Sequence, residues 1–409
     1  MIKEFISIEE KETTIRILNT RANAVRTKDI ERKGVRVYKD GKIGISGAIG
    51  SIADEKLVNG AIQNLATNVD YPFEPVKNQK DHRDYSVKIV SDEDLLSMTE
   101  EILARLRKDY PDFDFSEGIS TNKICYRMKN TEGLDLEYRD AYLSLGLLLK
   151  ENRSANLFDG MLGYLGRSFD IDRFWAFNES LLKAYKNPVD LPEGEKLSII
   201  SLGLGELRGF LSQCLNGERY ATGSSIFSGR LNERLFNEKI TIKQNRNPLY
   251  NFSPFFDMEG IVREKDSYTL VEKGNLKAVF TDRRSAKAYN LPHTGAASGS
   301  YDDIPSLSGA PIHFEVDSKD LGLALGARPA ILIEISSGGD FTADGSFAAP
   351  VQLAFLFDGE KIVGRLPEFT MRSHIYKMLG EDYIGTFENE HFYVGEASFI
   401  QAFNMTIVR

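Results

Sequence analysis

The segment KLSIISLGLGELRGFLSQCLNGERYATGSSIFSGRL, residues 196–231, contains the clearest change of pattern in the chain. Its first part, Leu197 to Leu202, is the short apolar run of a buried strand. After Gly203 and Gly205, apolar residues recur at the i, i+3, i+4, i+7, i+8 spacing of one face of an amphipathic helix. They are Leu207, Phe210, Leu211, Cys214 and Leu215. Gly217 is expected to be the left-handed residue that ends this helix, and the Gly/Ser-rich residues beyond it are expected to lead into new strands.

Composition places the protein among soluble globular chains. It has 409 residues, 42% of them hydrophobic and 27% charged, with a formal net charge of -9. Because phosphate binding needs a basic surface, this charge argues against nucleic acid as a partner. No run approaches the roughly 18 apolar residues of a membrane span. Two cysteines, Cys125 and Cys214, are too few for a disulfide framework, and the N-terminus is charged, so we expect a cytoplasmic protein.

The first half reads as a sheet with helices on it. Alternating apolar and polar residues over 4–50 predict consecutive short strands, with Asp40-Gly41 as a hairpin turn. Strands return over 118–149, with a turn at 130–133. Tyr71 to Tyr85, which is rich in Pro, Asn, Lys and Asp, is interpreted as a surface loop.

Three helices are predicted in this half. One begins near Asp54, with Leu57, Ala61 and Leu65 spaced by four. A second begins at Ser91, which Asp94 follows in an arrangement like a capping box, and Pro111 ends it. Its buried stripe is expected to contain Leu95, Leu96, Ile102, Leu103 and Leu106. The third surrounds Ile171 to Tyr185.

A linker, Asn187 to Gly194, separates this half from a second one. Its two prolines and glycine mark a domain boundary, so we expect an N-terminal α/β domain over 1–187 and a β-rich domain over 195–409. Glycine-containing turns and short apolar runs dominate the second half. The predicted fold class is α+β: an N-terminal sheet with helices, followed by a β-rich, mostly antiparallel C-terminal domain.

No catalytic constellation follows from residue spacing alone. Gly203-x-Gly205-x-x-x-Gly209 departs from the dinucleotide fingerprint and is better explained as a strand-to-helix turn. No two histidines have the i, i+4 spacing of a helical zinc site, although a site assembled from distant residues stays open. Ser224 and Ser225 lack the nucleophile-elbow pattern. The turn Asp257 to Gly260 has two interpretations, turn geometry or binding, and turn geometry is the simpler.

A series of short motifs, in order along nearly the whole chain, resembles the TldD/PmbA family. The motifs are Gly34-Val-Arg-Val37, Asp40-Gly-Lys-Ile-Gly44, Asn130-Thr-Glu-Gly133, Gly223-Ser-Ser-Ile-Phe-Ser-Gly229, Phe256-Asp-Met-Glu-Gly260, Leu270-Val-Glu-Lys-Gly-Asn-Leu-Lys277, Asp282-Arg-Arg-Ser-Ala-Lys287 and His293-Thr-Gly295. The resemblance implies a bacterial or archaeal protein linked to peptide maturation and proteolysis of unfolded peptides; some members are called modulators of DNA gyrase. TldD-type chains carry zinc on a His-Glu-x-x-x-His helix with a C-terminal cysteine, and PmbA-type chains lack these ligands and pair with them.

Carrying the zinc helix over, with residues 225–229 as the anchor, places it on 208–213. Arg208 and Gln213 then occupy the histidine positions and Gly209 the glutamate position. Arginine stays protonated and cannot bind zinc, no glutamate remains to activate water, and residues 388–408 contain no cysteine. The resemblance therefore implies a PmbA-type chain with no catalytic residues, no metal and no cofactor of its own, and zinc only in a TldD-type partner.

The leading hypothesis is a metallopeptidase-family subunit, inactive alone, that dimerises with a TldD-type partner and helps enclose an unfolded peptide bound as a β-strand. The family motifs place four residues near such a groove: Asp257, Glu259, Thr294 and Gly295. The alternatives are a partner-independent homodimeric peptide-binding or scaffold protein, and a hydrolase with a metal site relocated to some of His293, His313, His374 and His391.

Overall fold

Long antiparallel strands build the first half of the computed structural model, which describes residues 1–87, 90–203, 205–318, 320–326, 328–396 and 398–409. Its eight-stranded sheet has the order β4-β3-β2-β1-β6-β7-β5, and β8 also pairs with β7. Only the β5–β7 pairing is parallel within it. The strands are β1 Ile2–Leu18, β2 Arg21–Lys39, β3 Lys42–Ile49, β4 Val69–Asp70, β5 Gln79–Ser86, β6 Phe113–Asn130, β7 Leu134–Glu151 and β8 Gly160–Gly166.

Turn chemistry fixes the register of two hairpins in this sheet. Asp40 and Gly41 both have positive φ, 50° and 72°, the type I′ geometry predicted from the sequence. They join β2 to β3 with Lys39 opposite Lys42. At the β6–β7 turn the Asn130 carbonyl accepts from the amide of Gly133, as expected. The predicted short strands of residues 4–50 are in fact three strands of 17, 19 and 8 residues.

Three helices accompany the sheet where the sequence predicts them: α1 Asp54–Asn64, α2 Asp92–Asp109 and α3 Ile171–Tyr185. Ser91 caps α2 by accepting the Asp94 amide at 3.1 Å. In α2 the predicted stripe is buried except for Leu96, which is exposed. The stripe prediction is wrong at that position because Leu96 lies off the face that Leu95, Thr99 and Ile102 present to the sheet.

The prediction of a surface loop over Tyr71 to Tyr85 is wrong in two places. Tyr71 is buried, and Gln79–Ser86 is the edge strand β5. Its side chains alternate between half-buried and exposed, so a strand built from Gln, Lys, Asp, His and Arg carries no apolar period for the sequence to display.

A closed ring of five strands organises the second half. The order β16-β9-β22-β20-β18 returns to β16 through a further β16–β18 pairing. Within the ring β9 and β16 are parallel and the other pairs antiparallel. β17 and β19 pair with β18, and β21 pairs with β22. The bounds are β9 Lys196–Ser201, β16 Ala330–Ser336, β17 Asp340–Phe341, β18 Ser346–Phe357, β19 Ile362–Arg365, β20 Phe369–His374, β21 Tyr383–Glu388 and β22 Phe399–Val408.

Smaller elements fill the space between β9 and β16 along the chain. A four-stranded sheet has the order β12-β11-β10-β15, and β13 pairs with β14. The strands are β10 Ile242–Asn245, β11 Ser267–Glu272, β12 Asn275–Leu276, β13 Ala297–Ser298, β14 Ser306–Leu307 and β15 Ile312–Phe314. The helices of this half are α4 Gly205–Cys214, α5 Gly217–Ala221, α6 Arg283–Tyr289, α7 Leu321–Leu325 and α8 Ile375–Met378. The predicted α+β class, with a β-rich and mostly antiparallel second half, is confirmed.

Two local expectations after α4 are wrong. Gly217 does not end α4 in a left-handed conformation; it begins α5, which Asn216 caps. A side chain at Gly217 would meet the Phe280 carbonyl, since a Cβ there would lie 2.5 Å from that oxygen. The Gly/Ser-rich residues that follow form turns, and the next strand begins only at Ile242.

The two halves share hydrophobic cores. One face of the ring, including Ile200 and Leu332, lies in the same cluster as Leu145 of β7 and Phe174 of α3. The predicted linker runs along this junction: the Val189 amide donates to the Arg365 carbonyl at 2.9 Å. The division into domains at 187–195 stays a prediction. No helix among the described residues is long and apolar enough to cross a membrane.

Glu334 provides a test of this junction. It lies on β16, partly exposed, beside apolar side chains of both halves that include Leu149, Leu181 and Leu353. Burial raises the pKa of its carboxyl to about 7. Between pH 4.5, the ordinary pKa, and about pH 7, Glu334 is protonated in the folded protein more than in the unfolded chain. The contribution of Glu334 to the free energy of unfolding should therefore fall as pH rises through this range.

Replacing Glu334 by Gln should therefore raise the free energy of unfolding at pH 8 by about 1–3 kcal/mol, less than the full shift because the side chain is partly exposed. The gain should vanish near pH 4.5. Urea unfolding at the two pH values measures it, with the exposed Glu360→Gln as the matched control. An equal effect at both pH values would contradict the assignment.

Candidate functional site

Helix α4 is held by the face that it buries. Leu207, Phe210, Leu211 and Cys214 pack into the core cluster that also contains Ile199 of β9. The Phe210 ring stacks on Phe341 of β17, with centroids 4.6 Å apart and planes at 16°. The apolar period of residues 207–214 thus fixes which side of the helix faces outward, and that side carries the polar residues.

A pocket of about 310 Å³ lies against the outward side of α4. Arg208, Gly209 and Ser212 contribute the helical wall. The other residues come from β10, the loop after it, β15 and its approach, and the start of β22. They are Asn245, Tyr250, Asn251, Ala310, Pro311, Ile312, His313 and Phe399.

Arg208 is the dominant charge of this pocket. Its guanidinium lies over the Phe399 ring at 4.8 Å from the centroid. Its Nε is buried, with no hydrogen-bond partner among the described residues. Gly203, at φ 116°, allows this position, because a Cβ there would lie 3.1 Å from Arg208 Nη2. Burial lowers the pKa of Arg208, but the ordinary value of about 12.5 is so high that it remains a cation at neutral pH.

His313 and Tyr250 are the other titratable residues that line the pocket. The His313 ring lies 4.6 Å from Tyr250 and 5.8 Å from Phe399, centroid to centroid. Burial lowers the pKa of His313, and the positive charge of Arg208 also lowers it while Glu315 opposes the shift. The imidazole is therefore neutral at pH 7.

The third position carried over from the zinc helix is not in this pocket. Gln213 is exposed on α4, and its Oε1 accepts from Arg219 at 3.3 Å. Cys214 beside it is buried, and burial raises the pKa of its thiol to about 12. The structure thus brings Arg208 and Gly209 together at one cavity and directs Gln213 away from it.

The donor set at α4 does not fit zinc. Of the pocket residues only His313 is a common zinc ligand, and the nearby Arg208 charge would repel a divalent cation. Among the described residues, no three His, Cys, Asp or Glu side chains converge as a metal site would require. The hypothesis of a metal site relocated to distant histidines receives no support from these positions.

The second predicted group of residues lies at the junction of the two halves. Asp257, in the turn that Gly260 completes at φ 73°, is buried. Its Oδ1 accepts from the amides of Glu259 and Ile261 at 2.9 Å each, and its Oδ2 accepts from Ala297 at 3.1 Å. Burial and the charge of Glu259 raise the pKa of Asp257, and Arg246 and the backbone donors oppose the shift.

Glu259 connects this turn to the first sheet. Its Oε1 accepts from the Tyr71 hydroxyl at 2.8 Å. Its Oε2 accepts from the Arg283 amide at 3.2 Å and lies 3.4 Å from His293 Nε2. Glu259 is 4% exposed as a residue, so its carboxylate is occupied by groups of this chain.

Thr294 and Gly295 complete the cluster through their backbones. Gln244 Nε2 donates to both carbonyls at 2.9 Å. Thr294 is fully buried, and its hydroxyl accepts from the Thr281 amide at 2.9 Å. Because Asp257, Glu259 and Thr294 are enclosed, contact with a peptide would require the surrounding loops to move. Their assignment to a peptide groove stays a prediction.

Sequence reasoning did not identify the pocket around Arg208 or the partners of Glu259. Tyr250, His313 and Phe399 are up to about 150 positions apart and meet only through sheet pairing, which a single sequence does not reveal. The motif Gly34-Val-Arg-Val37 was the one sequence feature that pointed to the surroundings of Glu259. Its Arg36 donates to the Met258 carbonyl at 2.6 Å, in the turn that carries both acids.

Comparison with known proteins bears on both the fold and the helix. Residues 202–397 match the family described as PmbA/TldA metallopeptidase C-terminal domain. Residues 202–397 are therefore similar in sequence to the TldD/PmbA family, and the resemblance drawn from the motifs is confirmed.

Two archaeal relatives extend the similarity beyond that domain. An uncharacterised protein of Methanocaldococcus jannaschii is 26% identical over 341 residues, covering 81% of this chain and 78% of that protein. A protein named metalloprotease from Archaeoglobus fulgidus is 23% identical over 401 residues, covering 92% and 90%.

Solved structures share the fold over the whole chain. TldE from Thermococcus kodakarensis superimposes with a TM-score of 0.77 at 17% identity, covering 100% of this chain and 97% of that one. A proposed modulator of a DNA gyrase from Thermotoga maritima gives 0.77 at 18% identity, with coverage of 100% and 96%. At these identities the likeness establishes the fold alone.

The Asp257 contacts predict a structural cost for a minimal change. In Asp257→Asn one carboxylate oxygen becomes an NH2 group, so a donor faces a backbone amide that now lacks its acceptor. We expect the free energy of unfolding to fall by about 1–3 kcal/mol.

Urea unfolding measures this loss, and Asp190→Asn, an exposed linker position, is the matched control and should change stability by less than about 0.5 kcal/mol. Unchanged stability in Asp257→Asn, with altered peptide binding instead, would favour the groove assignment over a structural role.

Proposed function

We propose that this chain is a PmbA-like subunit of a TldD/PmbA-type metalloprotease complex that acts in proteolysis or maturation of unfolded peptides. In this proposal it lacks zinc ligands itself. The observation that carries it is the position of Arg208. The motif resemblance implies that a permanent cation stands where a zinc-binding histidine would be, and the same side chain dominates the pocket beside α4.

The chemistry of the remaining positions supports the same reading. Gly209 has no side chain to act as a general base, and Gln213 is exposed and bonded to Arg219. A chain that keeps the family fold while its zinc-helix positions hold Arg, Gly and Gln is suited to a supporting role in a complex. Zinc would then be supplied by a TldD-type partner that carries the intact His-Glu-x-x-x-His helix.

A reconstitution experiment tests the proposal. The chain alone, the TldD-type chain of the native host alone, and the two combined are assayed for release of fluorescence from a labelled unfolded casein peptide, with zinc added. We expect no cleavage by this chain alone and chelator-sensitive cleavage by the combination.

The control is a partner whose helix histidines are replaced by Ala, which should abolish the activity of the combination. Cleavage at an enzyme-like rate by this chain alone, after metal removal, would overturn the proposal. Purification from the native host distinguishes the alternative: a homodimer with no stoichiometric partner supports a partner-independent peptide-binding or scaffold protein.

A further inference from the structure

The pocket beside α4 has one sign of charge. Arg208 is a cation at neutral pH, His313 is neutral, and none of the residues that line the pocket is Asp or Glu. Among the described residues, no carboxylate forms an ion pair with Arg208, and burial alone shifts its pKa, so the charge in the pocket is uncompensated by the chain itself. The buried Arg167, by contrast, has a carboxylate partner in Asp140 at 2.6 Å.

The guanidinium of Arg208 packs over an aromatic ring of the pocket wall. Its central carbon lies 4.8 Å from the centroid of the Phe399 ring. The N–H donors of a guanidinium point outward in the plane, as a fork that matches the two oxygens of a carboxylate. Ser212 and Tyr250 add hydroxyl groups to the same cavity.

The remaining wall is apolar and the cavity is small. Ala310, Pro311, Ile312 and Phe399 offer carbon surface beside the polar end. A volume of about 310 Å³ is at the lower limit of ligand pockets, which suits one amino-acid residue better than a nucleotide. With one permanent cation, the pocket matches a singly charged carboxylate more closely than a doubly charged phosphate.

We propose that this pocket binds the terminal carboxylate of a peptide, with Arg208 as its ion-pair donor and the last side chain of the peptide against Phe399 and Ile312. The inference rests on the proposed peptide-binding function. It assigns to the degenerate helix a recognition role, in which the C-terminal end of a peptide is held at α4.

Calorimetric titration of the full chain with a short peptide tests this site. The probes are N-acetyl-Ala-Ala-Leu with a free carboxylate and the same peptide with a C-terminal amide. We expect the free acid to bind and the amide to bind about 10- to 100-fold more weakly, as expected for the loss of a charge-assisted hydrogen bond. The Arg208→Gln variant should bind the free acid as weakly as the unchanged protein binds the amide. The matched control Arg234→Gln, at an exposed position, should bind the free acid with unchanged affinity.

A second variant distinguishes loss of the binding site from loss of folding. A Cβ at Gly209 would meet nothing within 4 Å, so Gly209→Leu should fill the pocket while removing a glycine from a helix interior, which favours folding by up to about 1 kcal/mol. It should abolish binding of the free acid with the thermal midpoint unchanged or raised. Unaltered binding in Gly209→Leu, or equal binding of acid and amide, would overturn the proposal.

The outcome separates the two proposals. If a long unfolded peptide binds or is cleaved in the reconstituted complex equally well with either C-terminus, the carboxylate site fails and the proposed function stands. If the short acid binds through Arg208 but the complex does not act on unfolded peptides, the site stands and the proposed function fails.

Discussion

A buried arginine lies at the junction of the two halves and bonds across it: Arg36 donates to the Met258 carbonyl at 2.6 Å. Arg36 is fully buried on β2, directly opposite Glu4 of β1 in the strand register. Glu4 Oε1 lies 3.4 Å from the guanidinium and accepts from the Tyr38 hydroxyl. A buried cation is tolerated only with such partners, so the sheet and the turn that carries Asp257 must assemble together.

The same junction explains why several family motifs contain glycine. Gly34, two residues before Arg36, faces Tyr301, and a Cβ there would lie 1.9 Å from the Tyr301 carbonyl oxygen. Gly260 ends the acidic turn with positive φ, and a Cβ on it would lie 3.0 Å from Leu134 on β7. Motifs that are far apart in the sequence thus contact each other at this junction. In this chain their evident role is assembly of the halves, with the buried acids as part of it.

Local chemistry made much of the fold predictable. Ser91 before α2, the turn at Asp40-Gly41 and the apolar period of α4 each act within a few residues, so the sequence displays them directly. Strand β5 could not be predicted in this way because its parallel pairing with β7 is set by tertiary contacts, including Arg83, which bonds Asp266 of the second half at 2.7 Å. The cavity beside α4 was equally hidden: the sequence identified Arg208, but the partners that enclose it come from three strands.

The two sides of helix α4 have different surroundings. The residues that hold the helix in place, Leu207, Phe210 and Leu211, point into the core and are apolar. Arg208 and Gly209 line the cavity, where Arg208 also packs over the core residue Phe399. Core packing therefore constrains the apolar side of α4, and the residues on the other side line the cavity. The function must be argued from the side chains that line the cavity, because a structural likeness at 17% identity establishes the fold alone.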